Sequence, residues 1–356
     1  MSADFDKFLS ASPNDRRDAY ISASQRLGTT AQNIEKDFWV CWTLNALFNQ
    51  LQPGGPRLLF KGGTSLSKAF GLISRFSEDI DVTVFSEDIG ETANVEMLEA
   101  LSGKKRKAKL DAIKSACQDY IGGAFMKQIS AHFRDTLEKA RIGWPPKIEL
   151  DLDDASRQSL LLWYPSVLMA TDGYIRPAIK IESGAKSALD PNSSATIHPY
   201  VADDVSALDL NVSNILTVHA ERTFWDKIII LHGLLNWFDR RGTLRGGGQR
   251  VSRHYYDVYQ LLVSGTGKAA IADPGLGRDC VRHARMFFNS PDLGLATASP
   301  RSFALTPTAL MIADLRRDYT AMSGMIFGGV PTFDVVLESI RTLEMQLNES
   351  GPWSEY

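Results

Sequence analysis

The sequence predicts an α+β fold, with a mixed sheet and flanking helices in its first part and a mostly α-helical second part. A short apolar run at 58–60, bounded by glycines, is typical of a buried strand, and alternating apolar and polar residues at 80–85 are typical of a half-buried one. Longer segments with apolar residues at helical spacing surround these runs, as in 30–51, and they dominate the C-terminal part. We therefore expect two domains, one over residues 1–205 and one over 206–356.

The composition is that of an ordinary globular protein, with 44% hydrophobic and 23% charged residues among 356. A net charge of −3 excludes a surface coated with positive charge, although a local basic stripe is enough to bind nucleic acid. Three cysteines without a C-x-x-C pair predict no disulfide scaffold and no zinc ribbon. Because no signal peptide and no membrane-spanning apolar run is recognisable, we expect a cytoplasmic protein that does not bind membranes.

The first elements follow from capping residues and turns. Residues 13–27 form a predicted helix, since a serine and a proline supply its N-cap and first turn. The next helix, 30–51, is ended by a Pro-Gly-Gly-Pro turn, and a buried strand follows at 58–60. After Gly-Gly, a short helix is predicted over 64–72. The alternating segment 80–85 is the next predicted strand.

The remaining chain is predicted to be largely helical. Residues 91–142 read as helix with a basic cluster at Lys104–Lys109, and 147–152 and 175–182 are strand candidates. The Ser-, Pro- and Asp-rich segment 183–207 is expected to be a loop. Further helices are predicted at 213–238, 252–263, 276–289, 306–320 and 331–348.

The chemistry is concentrated between residues 60 and 81. Adjacent glycines at Gly62-Gly63 allow backbone amides to approach a triphosphate, because no side chain intervenes. A helix that begins just after them would direct its unpaired amides at the phosphates. Asp79 and Asp81 are two residues apart, so both carboxylates share one face of a strand. Two carboxylates beside bound phosphates form an oxygen-rich site suited to Mg²⁺.

Each of these motifs has a simpler explanation when it stands alone. A single Asp-x-Asp is usually a solvated strand edge, and a single Gly-Gly-Thr-Ser is usually a turn with an N-cap. A strand, a Gly-Gly helix and an Asp-x-Asp strand in succession coincide by accident much less often. The combination favours a site for phosphoryl transfer.

Residues 60–84 resemble the signature of the AbiEii/AbiGii toxin family of nucleotidyltransferases, MenT-like members of the DNA polymerase β superfamily. Residues 34–40 resemble the helix that precedes this signature. Residues 221–227 and 253–259 are similar to the family's later lysine motif and its arginine-to-aspartate motif. The resemblance covers about 30–262. It implies a polymerase β-type nucleotidyltransferase lobe and a C-terminal α-helical lobe that completes the cleft.

The resemblance also implies roles for individual residues. Asp79 and Asp81 would hold the metal, Lys227 would contact nucleotide phosphates, and Asp257 would lie opposite Lys227. An alternative for Lys227 is an ion pair with Asp226 or Glu221. Nucleotide binding is implied for five residues of one segment: Gly62, Gly63, Thr64, Ser65 and Lys68.

A polymerase β-type site takes a third carboxylate from a neighbouring strand. Glu182 is the first candidate, and Glu149 and Asp151 are the alternatives. The alternation of isoleucine with Lys180 and Glu182 is equally what a half-buried strand would show.

The expected function is Mg²⁺-dependent transfer of a nucleotide from an NTP to an acceptor hydroxyl, as in the toxin of a toxin–antitoxin or phage-defence system. The resemblance implies the 3′ end of tRNA as acceptor and an antitoxin protein as partner. Transfer to a small molecule or a protein side chain is an alternative, as is a defence subunit that binds NTP without turnover. The basic residues of 104–109 and 240–250 are either solvated or follow RNA phosphates.

Overall fold

The computed structural model describes residues 4–168, 176–299 and 301–349. The strands are β1 (Leu58–Lys61), β2 (Ile80–Val84), β3 (Lys147–Leu150), β4 (Ser159–Trp163), β5 (Ala178–Gly184), β6 (Asn192–Ile197) and β7 (Val212–Val218). The α-helices are α1 (Phe5–Leu9), α2 (Pro13–Leu27), α3 (Ala31–Asn45), α4 (Gly62–Lys68), α5 (Val95–Glu99), α6 (Gly103–Tyr120), α7 (Met126–Lys139), α8 (Ala220–Arg241), α9 (Arg253–Val263), α10 (Thr266–Ile271), α11 (Pro274–Phe287), α12 (Ala309–Ser323) and α13 (Phe333–Asn348). π-Helical turns extend α3 over Ala46–Gln50 and join α6 to α7 over Ile121–Phe125.

The seven strands form one mixed sheet in the order β3-β4-β5-β2-β1-β7-β6. The pairs β2–β5 and β1–β7 are parallel, and the other neighbouring pairs are antiparallel. The strand that carries Asp81 is therefore central, between β1 and β5. The predicted α+β class with a mixed sheet and flanking helices is confirmed.

An aromatic cluster on α3 forms much of the core beside the sheet. The Trp39 ring stacks on Tyr164 with a centroid distance of 5.5 Å and meets Phe133 edge-on at 6.0 Å. Trp42 packs against the same phenylalanine at 5.4 Å. These large side chains are almost completely buried. Their burial holds α3 firmly in place, which matters for the polar residues on the same helix.

The chain folds as two compact units. The first contains 1–70, 76–93 and 103–218, and so holds the whole sheet. The second contains 71–75, 94–102 and 219–356, and its regular structure is helical, from α5 and α8 to α13. The predicted domain boundary at residue 205 stays a prediction. The principal division between the units falls thirteen residues later, directly after β7.

Several predicted elements are wrong in detail. Part of the predicted loop 183–207 is the strand β6, and residues 213–218 belong to β7 rather than to a helix. The apolar residues of β7 are spaced as in a helix, but its backbone pairs with β1 on one side and β6 on the other. The start of the strand predicted at Ile175 lies outside the described residues. The strand β4 was not predicted.

No helix in the described part of the chain is long and apolar enough to cross a membrane. The three cysteines are buried thiols rather than disulfides, as the sequence predicted.

Candidate active site

The turn between β1 and α4 lies directly against a carboxylate of β2. Gly62 has a φ of +79°, a conformation that side chains disfavour. A Cβ atom added at Gly62 would lie 2.1 Å from Oδ2 of Asp81 and 2.7 Å from its Cγ. Two independent requirements therefore restrict this position to glycine. The structure brings the Gly-Gly turn and the Asp-x-Asp strand together.

Hydrogen bonds from α4 fix this arrangement. The Thr64 hydroxyl donates to the backbone carbonyl of Asp79 and shares a 2.9 Å hydrogen bond with the hydroxyl of Ser77. Ser65 Oγ donates to the Gly62 carbonyl at 2.9 Å. Both side chains on α4 are fully buried. The Ser65 hydroxyl therefore supports the backbone of the turn, and the Thr64 hydroxyl supports the segment that leads into β2. A direct contact of either hydroxyl with nucleotide stays a prediction.

The helix α4 begins two residues earlier than predicted. Its first residue is Gly62 rather than Thr64, and the extended residue before it is Lys61. The amides of Gly62, Gly63 and Thr64 are consequently in the first turn, where an α-helix leaves N–H groups without partners within the helix. The first residue of the helix thus lies next to Asp81, and phosphate binding by these amides stays a prediction.

Asp81 sits in a row of charged residues across three strands. It is in register with Lys61 on β1 and with Glu182 on β5. Lys61 Nζ is 3.9 Å from Asp81 Oδ1, and the Asp81 side chain is 26% exposed. Since paired residues of adjacent strands share a face, Glu182 is the neighbour of Asp81 on one side and Lys61 on the other. Asp79 is partly buried just before β2 begins.

The three candidates for the third carboxylate have different partners. Glu182 pairs with Lys180 at 2.8 Å, and the same ammonium lies 3.3 Å from Asp151. Glu149 accepts a 2.8 Å hydrogen bond from the Trp163 indole and lies on β3, two strands beyond β5. Among the described residues no three His, Cys, Asp or Glu side chains are grouped to hold a metal ion. The choice of Glu182 stays a prediction, which its register with Asp81 favours.

Lys68 at the end of α4 is enclosed by other groups. Its Nζ lies 2.8 Å from Asp37 Oδ1 and 3.7 Å from the centroid of the Tyr200 ring, and both members of the ion pair are almost fully buried. Burial opposes the charge, but the Asp37 carboxylate outweighs it and raises the pKa of Lys68. The predicted contact of Lys68 with nucleotide stays a prediction, because its ammonium already has a buried partner.

In the second unit, the Asp257 carboxylate forms ion pairs with two basic side chains. Arg75 donates to both of its oxygens, from Nε and Nη2, at 2.8 Å each. Lys227 Nζ lies 2.8 Å from Oδ2. Asp257 is completely buried, and the two cations nearly so. Burial alone would raise the pKa of Asp257, but Arg75 and Lys227 overcome that effect and hold the pKa well below its usual range.

This pairing answers one question that the sequence left open. Lys227 pairs with Asp257, as the resemblance implied, and Asp226 lies 3.7 Å from Arg222 instead. Burial lowers the pKa of Lys227, and the attraction of Asp257 only partly offsets this. The contact of Lys227 with nucleotide phosphates stays a prediction.

Arg75 is a member of this cluster that the sequence did not identify. It stands four residues before Asp79, within the segment that resembles the family signature, but it is 182 positions from Asp257. An arginine next to a motif gives no sign of so distant a partner. The sequence pointed to a role for Arg75 only through its position within the segment that resembles the family signature.

A mixed sheet that sets a Gly-Gly helix against an Asp-x-Asp strand is the arrangement expected of a nucleotidyltransferase. The chain belongs to the family described as nucleotidyl transferase AbiEii toxin of type IV toxin–antitoxin systems, whose sequence pattern matches residues 45–339. The protein is thus a toxin nucleotidyltransferase by family, which implies an NTP substrate and an antitoxin partner.

Solved structures similar to the chain include MenT4, a nucleotidyltransferase toxin from Mycobacterium tuberculosis H37Rv. It is 15% identical, the match covers 94% of this chain and 90% of that chain, and the TM-score is 0.48. No curated protein matches the chain.

Proposed function

We propose that this protein transfers a nucleoside monophosphate from an NTP to an acceptor hydroxyl, with Mg²⁺ held by Asp79 and Asp81 and the 3′ end of tRNA as acceptor. The observation that carries the proposal is the contact of the Asp81 carboxylate with the Gly62 backbone. This contact brings a carboxylate that can bind a metal ion next to backbone that can approach phosphate. A nucleotidyltransferase needs a metal ligand and a phosphate-binding backbone at the same place.

The donor set supports a divalent cation of the Mg²⁺ kind. Asp79 and Asp81 are hard oxygen donors two residues apart, and Glu182 is in register with Asp81. Lys180 is already bound to Glu182 at 2.8 Å, so that carboxylate would have to exchange a lysine for the metal. When bound, Mg²⁺ would neutralise charge on the reacting phosphates and lower the pKa of the attacking hydroxyl.

The residues of the chain would contribute mainly positioning. The amides of Gly62 and Gly63 would bind the triphosphate. The Ser65 hydroxyl bonds the Gly62 carbonyl, and the Thr64 hydroxyl ties the same helix to the carbonyl of Asp79. The acceptor oxygen would attack the α-phosphorus as the bond to pyrophosphate breaks. Because the protein itself forms no covalent bond, loss of a metal ligand should be far more damaging than loss of a peripheral contact.

The test is transfer from labelled NTPs, each of the four in turn, to total RNA, protein and small-molecule fractions. We expect label on RNA of tRNA size, lost in Asp81→Asn by at least about a hundredfold. The matched control is Asp111→Asn, which removes an exposed carboxylate that pairs with Lys107 one helical turn away. Label on protein or on a small molecule would overturn the tRNA assignment, and no label in any fraction would overturn transfer.

A second measurement addresses the third carboxylate. Binding of Mn²⁺, a spectroscopic substitute for Mg²⁺, is compared in Glu182→Gln, Asp151→Asn and Glu149→Gln. We expect the largest loss of affinity for Glu182→Gln, because only Glu182 is in register with Asp81. Normal affinity in this variant, with a loss in either of the others, would move the third ligand to that residue.

A further inference from the structure

Three consecutive charged residues on α3 are all buried. Glu35, Lys36 and Asp37 have exposures of 2%, 6% and 2%. Burial of ionised groups is energetically unfavourable unless partners compensate, so three in a row are not explained by helix packing alone. Successive residues of an α-helix point about 100° apart, which allows each charge to reach a different segment. The reaction proposed above has no use for them.

Asp37 is bound to the C-terminal end of α4. Its carboxylate lies 2.8 Å from Lys68 Nζ and also accepts a 2.6 Å hydrogen bond from the backbone N–H of Tyr200. The Tyr200 hydroxyl lies 3.0 Å from the hydroxyl of Ser67 on α4. A helix of this length spans about 10 Å, so fixing its last residue restricts Gly62 at its first.

Lys36 is bound to the residue that immediately precedes Asp79. Its Nζ lies 2.7 Å from Glu78 Oε2, and the two side chains are 7% and 12% exposed. The same ammonium donates to the carbonyl of Arg176 at 3.4 Å. The entry into β2 is thereby tied to α3, the helix that the aromatic core holds in place.

Among the described residues, Glu35 forms hydrogen bonds with neither α4 nor the start of β2. It accepts a 2.5 Å hydrogen bond from Ser166 Oγ and a 2.8 Å hydrogen bond from the backbone N–H of Val167. It is thus a carboxylate of equal burial on the same helix that binds a different part of the chain, and it offers a matched control.

We propose that Lys36 and Asp37 are positioning residues: the Asp37–Lys68 pair holds α4 and the Lys36–Glu78 pair holds the start of β2. Together they set the Gly62-Gly63 backbone against Asp79 and Asp81. Apolar contacts would hold the helices at lower energetic cost, but directional ion pairs restrict the segments to one geometry. Displacement of reacting groups by about 1 Å is enough to cost about a hundredfold in rate. The importance of this geometry for catalysis rests on the proposed function.

The test uses two double variants that remove both charges of a pair together, Asp37→Asn with Lys68→Met and Lys36→Met with Glu78→Gln. Amide hydrogen exchange is followed by mass spectrometry in the peptides covering 61–68 and 77–84. We expect exchange to rise about tenfold in 61–68 for the first variant and in 77–84 for the second. Glu35→Gln should leave both peptides unchanged.

Transfer kinetics with MgNTP then separate positioning from direct binding. We expect kcat to fall at least about tenfold in both double variants, with a smaller change in KM. Asp37→Asn and Lys68→Met as single changes should have similar effects. If Lys68→Met alone raised KM while Asp37→Asn did not, Lys68 would contact nucleotide directly and the proposal would be overturned.

Exchange and kcat within about twofold of wild type in both double variants would also overturn it. If a double variant fails to fold, Lys68→Arg replaces it, since arginine keeps the charge but changes its geometry. Reduced kcat with a normal melting temperature would support the proposal, and unchanged kcat would overturn it. If the wild type transfers no nucleotide while the exchange pattern appears, the proposed function fails and the positioning of the two segments stands.

Discussion

Asp257→Asn should be among the most destabilising single changes in the second unit. The substitution keeps the shape of the side chain and removes the negative charge that Arg75 and Lys227 both contact. Three hydrogen bonds of 2.8 Å from these cations converge on a completely buried carboxylate. Without its charge, two cations remain together in a site with almost no access to solvent.

The magnitude follows from this burial. Removing one partner of a buried ion pair costs about 3–5 kcal/mol, against a total stability of about 5–15 kcal/mol for a domain. At about 2–4 °C per kcal/mol for a unit of this size, the melting temperature should fall by about 6–20 °C.

The pH dependence has a definite sign. The pKa of Asp257 in the folded chain is below its value in the unfolded chain. Its stabilisation is therefore fully present above about pH 4 and lost as the pH falls through the folded pKa. The difference between wild type and Asp257→Asn should be constant near neutral pH and should shrink in acid.

Thermal and urea unfolding at pH 7 and at pH 3–4 measure these effects. Asp226→Asn is the control, because that carboxylate is half exposed and lies 3.7 Å from Arg222; we expect a loss of about 0–1 kcal/mol. Adding Lys227→Met to Asp257→Asn should recover part of the stability, because it removes the positive charge of one of the two buried basic side chains. A loss below about 1 kcal/mol for Asp257→Asn would refute the reasoning.

Two further predictions concern the first unit. Gly62→Ala should abolish transfer, because the added Cβ would lie 2.1 Å from Asp81 Oδ2. The control is Gly90→Ala, which also has a positive φ of 81° but no atom within 4 Å of the added Cβ, and which should cost only backbone strain of about 1–3 kcal/mol. Normal transfer by Gly62→Ala would contradict the site geometry. Burial opposes ionisation of Asp154, but hydrogen bonds from Ser156 and other donors lower its pKa to about 2. The wild type should therefore lose stability between pH 4 and pH 2 as this carboxylate is protonated, and urea unfolding should show a smaller loss over this range for Asp154→Asn. Parallel pH profiles for the two proteins would argue against this role.

The candidate site was predictable wherever its geometry is local. Adjacent glycines permit close approach of backbone in any fold, and the contact between Gly62 and Asp81 uses that property. The expectation that Asp79 and Asp81 share one face of a strand stays a prediction, because β2 begins at Ile80. Two helices were predicted almost to the residue: the helix predicted at 13–27 is observed as Pro13–Leu27, and the one predicted at 252–263 as Arg253–Val263.

Elements whose conformation depends on distant partners were not predictable in this way. The apolar spacing of residues 212–218 suits a helix, but pairing with β1 and β6 makes this segment a strand. A Ser-rich segment such as β6 is polar because it forms the edge of the sheet, and its composition resembles that of a loop.

The sequence by itself determined the class of fold and the family, because hydrophobic spacing and short motifs are local properties of the chain. Tertiary structure decided which charges are paired. Lys36 and Glu78 are 42 positions apart, and Arg75 and Asp257 are 182 apart. A charged residue in a sequence looks the same whether it will be solvated or buried. Only folding brings an opposite charge close enough to offset the free energy that a buried charge loses when it leaves water. Charged residues are therefore buried where the fold supplies such a partner.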